Sequence, residues 1–319
     1  MRRNNIIFLI LANLLLLGNV GCSSHQHTVN DYKQECDNNV AGSCNKLGSI
    51  YLKGLGVERN FNLAKKYYEK ACDLSDSDSC NTLGQWYRDS RAPHIDGVEK
   101  DFSRAKKYFE KACLREMYGY ACTNLGMLYY YGKGVEENND TADAYFRKAC
   151  ELYHDGEGCY RHAYMYSKGL NGPVDKESAK KYERVAEKYY KEACDKNNGE
   201  QCGRLSYFYD ETNNYQQAVF YAIKACDLND RYGCFMAGYI NQYRYEHYYE
   251  AAYYYDKACA LYDDVACSSL GVWYHYGTEM IPANKKLAKS YYKRSCDIGT
   301  KEWRSDSCDG YKELTDQGY

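Results

Sequence analysis

Sixteen of the seventeen cysteines form eight pairs that recur along the whole chain. The first members of successive pairs follow one another at intervals of 32 to 44 residues. A period in that range is typical of a repeat array rather than of a single globular enzyme core. The chain is therefore predicted to be a row of similar units. The pairs are Cys36 with Cys44, Cys72 with Cys80, Cys113 with Cys122, Cys150 with Cys159, Cys194 with Cys202, Cys226 with Cys234, Cys259 with Cys267 and Cys296 with Cys308.

The N-terminal segment predicts export. Arg2 and Arg3 precede an apolar run over residues 6–17, which is too short to cross a bilayer and is typical of a secretory signal, here residues 1–21. In an oxidising compartment, an even number of regularly spaced cysteines indicates disulfides within each pair. Zinc coordination is the alternative, but the chain has no Cys-x-x-Cys or His-Glu-x-x-His motif. No metal and no cofactor are expected.

Cys22 stands outside the pairs. Residues 17–23 resemble a bacterial lipoprotein cleavage site, in which the cysteine receives lipid, although Asn19 occupies a position where that motif usually has leucine. Lipidation at Cys22 would leave residues 22–30 as a polar tether, and the alternative is a freely secreted protein. Without its signal the chain has 40 basic and 44 acidic residues, a net charge of −4, which does not suggest a nucleic-acid partner. Membrane contact is expected only through the lipid.

The residues before each pair predict one helix, called helix B. Alanine stands eight residues before the first cysteine, tyrosine five before it, and alanine or serine one before it. These spacings place the three positions on one helical face. The alanines are expected to let a second helix approach, with the tyrosine filling the gap beside them. The tyrosines are Tyr67, Tyr108, Tyr145, Tyr189, Tyr221, Tyr254 and Tyr291.

The residues after each pair predict a second helix, called helix A. A small residue stands four after the second cysteine, an apolar residue six after it, and tyrosine seven after it in six of seven units. Glycine inside a helix costs about 1 kcal/mol, so its recurrence indicates a tight crossing that compensates. The small residues are Gly48, Gly84, Gly126, Ala163, Ser206, Gly238 and Gly271.

A unit of helix A, turn and helix B resembles the Sel1-like repeat, a relative of the tetratricopeptide repeat. The regular cysteine pairs resemble those of the Helicobacter cysteine-rich protein family. We therefore expect an all-α, right-handed superhelical solenoid of seven helix pairs over residues 31–319, with terminal caps. Each unit is expected to be joined to the next by a disulfide. The expected function is an exported scaffold that binds a protein or peptide, such as a host or cell-envelope component, on its concave face.

The resemblance also implies an enzyme alternative, because related proteins are described as penicillin-binding proteins and weak β-lactamases that hydrolyse the β-lactam amide. A serine β-lactamase requires Ser-x-x-Lys together with Ser-Asp-Asn and Lys-Thr-Gly, and the last two motifs do not occur. Three of the four Ser-x-x-Lys matches fall in lysine-rich B helices, where chance matches are common. No catalytic residue is therefore assigned. The matches are Ser43/Lys46, Ser103/Lys106, Ser178/Lys181 and Ser290/Lys293.

Some of the 39 tyrosines lie outside the repeat framework. Positions one, five and eight after the second cysteine form a stripe on helix A that is polar in the outer units and aromatic in the middle ones. Exposed, this stripe would be a binding surface, since tyrosine offers rigid contact area at low entropic cost. The alternative is packing between adjacent A helices. The aromatic members are Tyr130, Tyr160, Tyr164, Tyr207, Phe235 and Tyr239.

Overall fold

The structure, a computed structural model, describes residues 28–89, 99–114, 119–298 and 304–319. The described residues form sixteen helices and no strand. The expected signal peptide and Cys22 lie outside them. The helices are α1 Val29–Asp37, α2 Ala41–Lys53, α3 Phe61–Asp73, α4 Ser77–Asp89, α5 Phe102–Cys113, α6 Gly119–Tyr130, α7 Asn139–Tyr153, α8 Gly156–Lys168, α9 Lys176–Asp195, α10 Gly199–Glu211, α11 Tyr215–Asp227, α12 Arg231–Arg244, α13 Tyr248–Ala260, α14 Asp264–Tyr276, α15 Lys285–Ile298 and α16 Arg304–Asp316.

The helices alternate along a row in which each one packs on its neighbours in sequence. The even-numbered helices α2 to α14 are the seven A helices, and the odd-numbered helices α3 to α15 are their B partners. The extra helices α1 and α16 cap the two ends. Helix α1 begins at Val29 behind an N-cap at Thr28, two residues before the expected start of the solenoid. Within the described part of the chain, no helix has the length and apolar character needed to span a membrane.

Side-chain caps determine where the helices begin. Before six of the B helices, an Asn or Asp side chain accepts a hydrogen bond from a backbone N–H of the first turn, which satisfies a donor that the helix leaves free. The sixth unit has His247 at this place and no side-chain cap. The capping residues are Asn60, Asp101, Asn138, Asp175, Asn214 and Asn284.

The loops from helix B to the next helix A are equally regular. In six of them the residue five before the second cysteine has a positive φ between 55° and 81°, and Asn or Asp then caps five of the following helices. This left-handed residue reverses the chain within two or three residues. The residues with positive φ are Asn39, Ser75, His154, Asn197, Asn229 and Tyr262.

Disulfides connect the consecutive units, and each joins the two members of one predicted cysteine pair. Every bridge links the end of one B helix, or of α1, to the start of the next A helix or, for the last bridge, to α16, with Cα–Cα distances from 4.4 to 4.9 Å. The cysteines of the first seven bridges are at most 3% exposed. The bridges join Cys36 with Cys44, Cys72 with Cys80, Cys113 with Cys122, Cys150 with Cys159, Cys194 with Cys202, Cys226 with Cys234, Cys259 with Cys267 and Cys296 with Cys308.

The bridges stabilise the places where one unit meets the next. The short loops that they close predict about 2–3 kcal/mol of stabilisation per bridge from the entropy of the unfolded chain. The last loop is the longest, since Cys296 and Cys308 are 12 residues apart, whereas the other pairs are separated by eight or nine. The disulfides therefore hold together the junctions between neighbouring units along the whole row.

The small position of helix A lies under an aromatic ring, but the tyrosine expected there is not the residue involved. A Cβ added to Gly84 would lie 2.5 Å from Phe109, which stands four residues before its cysteine rather than five. Gly48 meets Tyr68 in the same way. In the five units with glycine at the small position, the aromatic ring four before the cysteine therefore fills the crossing, one residue later than the tyrosine expected to fill the gap between the helices.

The tyrosine five before the cysteine has a different contact. It stacks on the tyrosine of helix A in the same unit, with ring centroids 5.6 to 5.8 Å apart and interplanar angles of 18° or less. The ring of helix B is half-buried in every pair, whereas the ring of helix A is buried in three of the five. The stacked pairs are Tyr51–Tyr67, Tyr87–Tyr108, Tyr129–Tyr145, Tyr209–Tyr221 and Tyr274–Tyr291.

Unit four departs from this arrangement because its B helix is longer. The cap Asp175 precedes the first cysteine by 19 residues, whereas the other capping residues precede theirs by 12. The seven extra residues make two helical turns. Consequently Tyr182, not Tyr189, stacks on Tyr166, at 5.9 Å. Tyr189 instead lies 4.8 Å from His154. Tyr189 thus keeps the predicted position five residues before its cysteine, but the ring that stacks on helix A in this unit is that of Tyr182.

Candidate functional site

The six aromatic side chains predicted as a binding surface lie on four consecutive A helices, α6, α8, α10 and α12. All six side chains are half-buried, so each is partly accessible to solvent. We call this set the aromatic stripe. Its members are Tyr130, Tyr160, Tyr164, Tyr207, Phe235 and Tyr239.

The stripe is connected by contacts between units as well as within them. Tyr130 meets Tyr164 of the next unit edge-on, with ring centroids 6.4 Å apart. Burial, followed by the neighbouring phenol of Tyr207, raises the pKa of Tyr160. Within one unit, Phe235 and Tyr239 lie 6.4 Å apart. The stripe was interpreted from the sequence either as a binding surface or as packing between adjacent A helices. These rings pack between A helices and also keep an accessible face, so the two interpretations do not exclude each other.

Three exposed tyrosines extend the stripe, and sequence reasoning missed them. Tyr131 and Tyr243 are 53% and 60% exposed, and each contacts a stripe member. Tyr232 is 40% exposed and lies near Tyr207. Tyr131 and Tyr243 both stand nine residues after the second cysteine, a recurrence that could have identified them. The accessible aromatic surface is thus larger than the predicted one.

A cluster of charged residues lies beside the stripe at the junction of units three, four and five. Arg204 of α10 donates from Nη1 to Glu157 of α8 at 3.0 Å, and from Nη2 to Glu200 at 3.1 Å. The same Nη2 donates to the hydroxyl of Tyr120 of α6. One guanidinium therefore joins three consecutive A helices. We call this group, with the two residues that also contact Glu157, the Arg204 cluster: Tyr120, Glu157, Arg161, Tyr190, Glu200 and Arg204.

Repeat geometry explains how these residues meet. Glu157 and Glu200 each stand two residues before the second cysteine of their unit, and Arg161 and Arg204 two residues after it. Each Glu-x-x-x-Arg pair forms an i,i+4 ion pair within its own helix. Because equivalent positions of successive units lie side by side, Arg204 also reaches Glu157 of the preceding unit. The sequence contains both pairs but does not indicate that they become linked and buried.

One buried and one half-buried carboxylate of this region, Glu157 and Asp155, have pKa values shifted in opposite directions. Burial acts to raise the pKa of Glu157, but the charges of Arg204 and Arg161 outweigh burial and lower this pKa to about 2. Burial raises the pKa of Asp155 to about 6, against the hydrogen bonds that it accepts from the Thr123 hydroxyl and a backbone N–H. Glu157 is therefore a fixed negative charge, whereas Asp155 titrates in mildly acidic solution.

A cavity of about 430 Å³ opens where the Arg204 cluster meets the stripe. Arg161 lines it with a side chain 27% exposed, and its Nε donates to Glu157 at 2.7 Å. Among the described residues, nothing accepts a hydrogen bond from its Nη1 or Nη2. The cavity therefore combines unused guanidinium donors with aromatic walls, which suits an anionic or polar group of a ligand. Its lining is Glu157, Arg161, Glu200, Arg204, Tyr207 and Tyr232.

A second cavity, of about 520 Å³, lies toward the C-terminal end between α12, α14 and α16. Tyr243, one of the exposed tyrosines that extend the stripe, lines this cavity, so the cavity adjoins the aromatic surface. Its other walls include Trp273 and the exposed side chains of Val265 and Val272. The accessible surface along the A helices therefore continues past the stripe into the last unit.

In two of the Ser-x-x-Lys matches, the described contacts of the serine and lysine side chains are to other residues and not to each other. The buried Ser43 hydroxyl donates to Glu35. The Ser290 hydroxyl donates to the backbone carbonyl three residues earlier, and Lys293 pairs with Asp297 at 2.8 Å. These contacts give no support to a serine nucleophile activated by lysine. Nor do the described residues contain any group of three or more His, Cys, Asp or Glu side chains placed to hold a metal ion.

Comparison with known proteins identifies the repeat. The sequence profile of the Sel1 repeat matches the chain seven times in succession, and these matches together cover well over half of it. They fall at residues 41–76, 77–116, 119–154, 156–198, 202–230, 232–263 and 264–299. A comparison with curated proteins gave no match.

Solved structures with the same helical architecture include yeast Tom70, at 16% identity and a TM-score of 0.52, covering 91% of this chain and 58% of Tom70. A Sel1 repeat protein from Oxalobacter formigenes is 15% identical, covering 98% of this chain and 84% of its own, with a TM-score of 0.44. Cysteine-rich protein B of Helicobacter pylori is 29% identical over 40% of this chain and 91% of its own, with a TM-score of 0.30. The likeness to Tom70 supports a solenoid fold.

Proposed function

Because the chain belongs to the Sel1 repeat family, we propose that it is an exported scaffold that binds a protein or peptide along the aromatic stripe. Repeats of this family typically mediate contacts between proteins. The observation that carries the proposal is that six half-buried aromatic side chains lie on four consecutive A helices, with ring contacts from Tyr130 to Tyr164 and from Phe235 to Tyr239. Contiguous accessible aromatic surface usually marks an interaction site.

The position of the stripe supports binding on the inner side of the solenoid. Two pairs of successive A helices, α10 with α12 and α6 with α8, contact each other more extensively than any two successive B helices, although the other successive A helices, α8 and α10 among them, make few direct contacts. In a curved stack the inner helices approach one another more closely than the outer ones. The A helices would therefore form the concave side. A partner bound on that side would contact stripe residues of several units at once.

The composition of the surface suits a polypeptide partner. Tyrosine side chains present large, rigid faces with a polar tip, so they lose little conformational entropy on binding. Cations accompany several rings: Lys168 lies 5.6 Å from the centre of the Tyr164 ring, and Arg244 lies 5.8 Å from that of Tyr239. Aromatic anchors and arginine are the residue types that contribute most at protein interfaces.

The disulfides support an extracellular or periplasmic location. Eight bridges would be reduced in most cytosolic compartments, and they hold together every junction between units. We further propose that lipid at Cys22 anchors the exported chain, with residues 22–28 as the link to α1. An anchored solenoid with rigid junctions would present its inner face as a fixed surface.

A selection with displayed peptides tests the proposed function. The oxidised exported chain is immobilised and screened with a random twelve-residue library, in parallel with a variant carrying Tyr164→Ala and Tyr207→Ala. We expect sequences that are enriched on the wild type and not on the variant. Equal enrichment on both proteins, or none on the wild type, would contradict binding at the stripe.

A further inference from the structure

The cavity beside the stripe holds a guanidinium whose binding capacity is mostly unused. Of the five N–H donors of Arg161, only that of Nε has an acceptor among the described residues, Glu157. By contrast, Arg204 uses Nε, Nη1 and Nη2 on three different partners. The guanidinium carbon of Arg161 also lies 5.8 Å from the ring centre of Tyr160, so this group is next to an aromatic wall. The two terminal nitrogens are therefore the available donors of this cavity.

The acidic oxygens nearby do not compete for these donors. Glu157 is fully engaged, since Oε1 accepts from Arg161 and Oε2 accepts from Arg204 and Tyr190. Glu200 accepts from Arg204 with its Oε1. The phenols of Tyr207 and Tyr232 line the same space, and burial raises both of their pKa values, so they remain protonated hydrogen-bond donors. The cavity consequently offers the terminal donors of Arg161 beside two carboxylates that are already paired with arginine.

We propose that this cavity receives the carboxylate of an aspartate or glutamate side chain from the polypeptide bound along the stripe, paired with Nη1 and Nη2 of Arg161. This inference rests on the proposed function. A planar guanidinium with two parallel N–H donors matches a carboxylate in a bidentate pair. The adjacent tyrosine faces would pack against the residues that flank the acidic side chain.

The location of Arg161 favours a side chain over a chain terminus. The aromatic surface extends from the cavity in both directions, toward Tyr130 and Tyr164 on one side and toward Phe235 and Tyr239 on the other. A bound polypeptide that covers both sides passes over the cavity, so only a side chain can point into it. An internal acidic residue is therefore the expected ligand group.

The peptide selection provides the test when it is extended to Arg161→Gln and to Arg184→Gln, a matched loss of an exposed arginine on α9. We expect Asp or Glu to be enriched at one internal position in peptides selected by the wild type and by Arg184→Gln. Peptides selected by Arg161→Gln should still require the tyrosines but should lose this preference. Selection of stripe-dependent peptides without an acidic preference would overturn the inference and leave the proposed function intact.

A binding measurement gives the second test. One selected peptide is synthesised with its acidic residue intact and as the Asp→Asn or Glu→Gln form, and fluorescence anisotropy gives Kd for each. On the wild type we expect the neutral form to bind about tenfold more weakly. On Arg161→Gln the two forms should bind equally. Equal affinities on the wild type would refute the inference even if Arg161→Gln failed to fold.

Discussion

Arg204 of α10 and Glu157 of α8 are 47 residues apart in sequence and are joined by a hydrogen bond of 3.0 Å between adjacent units. The Glu157 side chain is 9% exposed and that of Arg204 is 24% exposed. This ion pair lies directly beneath the cavity that we assign to the partner. The framework that holds units four and five together therefore also shapes the proposed binding surface.

Removing one member of this pair should be costly. Arg204→Met leaves Glu157 with Arg161 and Tyr190 alone, and we expect a loss of about 3 kcal/mol in the free energy of unfolding. Adding Glu157→Gln to the same protein should restore part of it, because the buried carboxylate that has lost one of its two arginine partners is then neutral. Urea unfolding with the disulfides intact measures both. Additive losses in the double variant would show that the pair is not coupled.

The small position of helix A should not tolerate a larger side chain. The Cβ of Gly84→Ala would lie 2.5 Å from Phe109, a ring that is fully buried, so we expect destabilisation by about 1–3 kcal/mol. Gly42→Ala is the matched control. Gly42 also lies in an A helix, and no atom lies within 4 Å of its added Cβ. The control should gain up to about 1 kcal/mol from helix propensity. Similar effects of both substitutions would contradict the tight crossing.

Asp155 should make stability depend on pH. Its pKa in the folded chain is about 6, above the value of 3.8 for an unperturbed aspartate, so folding favours the protonated carboxyl. This contribution is fully present below about pH 4 and is lost as pH rises through about 6. Asp155→Asn should therefore be more stabilising at pH 7 than at pH 4, by about 2 kcal/mol. Denaturant unfolding of both proteins at the two pH values gives this difference, and a pH-independent difference would contradict the shift.

The lipid anchor can be tested by fractionation. Cys22→Ser removes the proposed acceptor and should move the protein from the membrane fraction to the soluble exported fraction. The intact mass of the wild type should exceed that of the unmodified chain by the attached acyl groups. Cys22 pairs with no other cysteine in the proposed scheme, so the eight disulfides should be unchanged in the variant. Unaltered fractionation and mass would favour free secretion.

The framework was predictable from the sequence because it repeats. Cysteine spacing identified all eight bridges, from Cys36 with Cys44 to Cys296 with Cys308, and the small position of helix A indicated the tight crossing. The ring that fills this crossing was misplaced because positions four and five before the cysteine are both often aromatic. The stacking of Tyr182 on Tyr166 was not predicted, because two extra helical turns separate Tyr182 from the cysteine used as the reference.

The candidate site was only partly predictable. The periodicity of helix A was enough to identify the six stripe residues, because it specifies which residues share a face. Whether that face is buried or accessible depends on the spacing between neighbouring units, which no single helix encodes. The contact between Arg204 and Glu157 required the same information, and for this reason their two i,i+4 pairs resemble ordinary surface pairs in the sequence.

Binding to the aromatic stripe is measured most directly by the affinity of a selected peptide for three proteins. These are the wild type, Tyr164→Ala with Tyr207→Ala, and a control with Tyr249→Ala and Tyr253→Ala, which removes two exposed tyrosines from α13, a B helix. We expect the stripe variant to keep its helical content and lose at least about thirtyfold in affinity, since each aromatic anchor contributes about 2 kcal/mol or more. The control should bind like the wild type. Equal affinity of all three proteins, or a greater loss in the control, would contradict a binding site on the A helices.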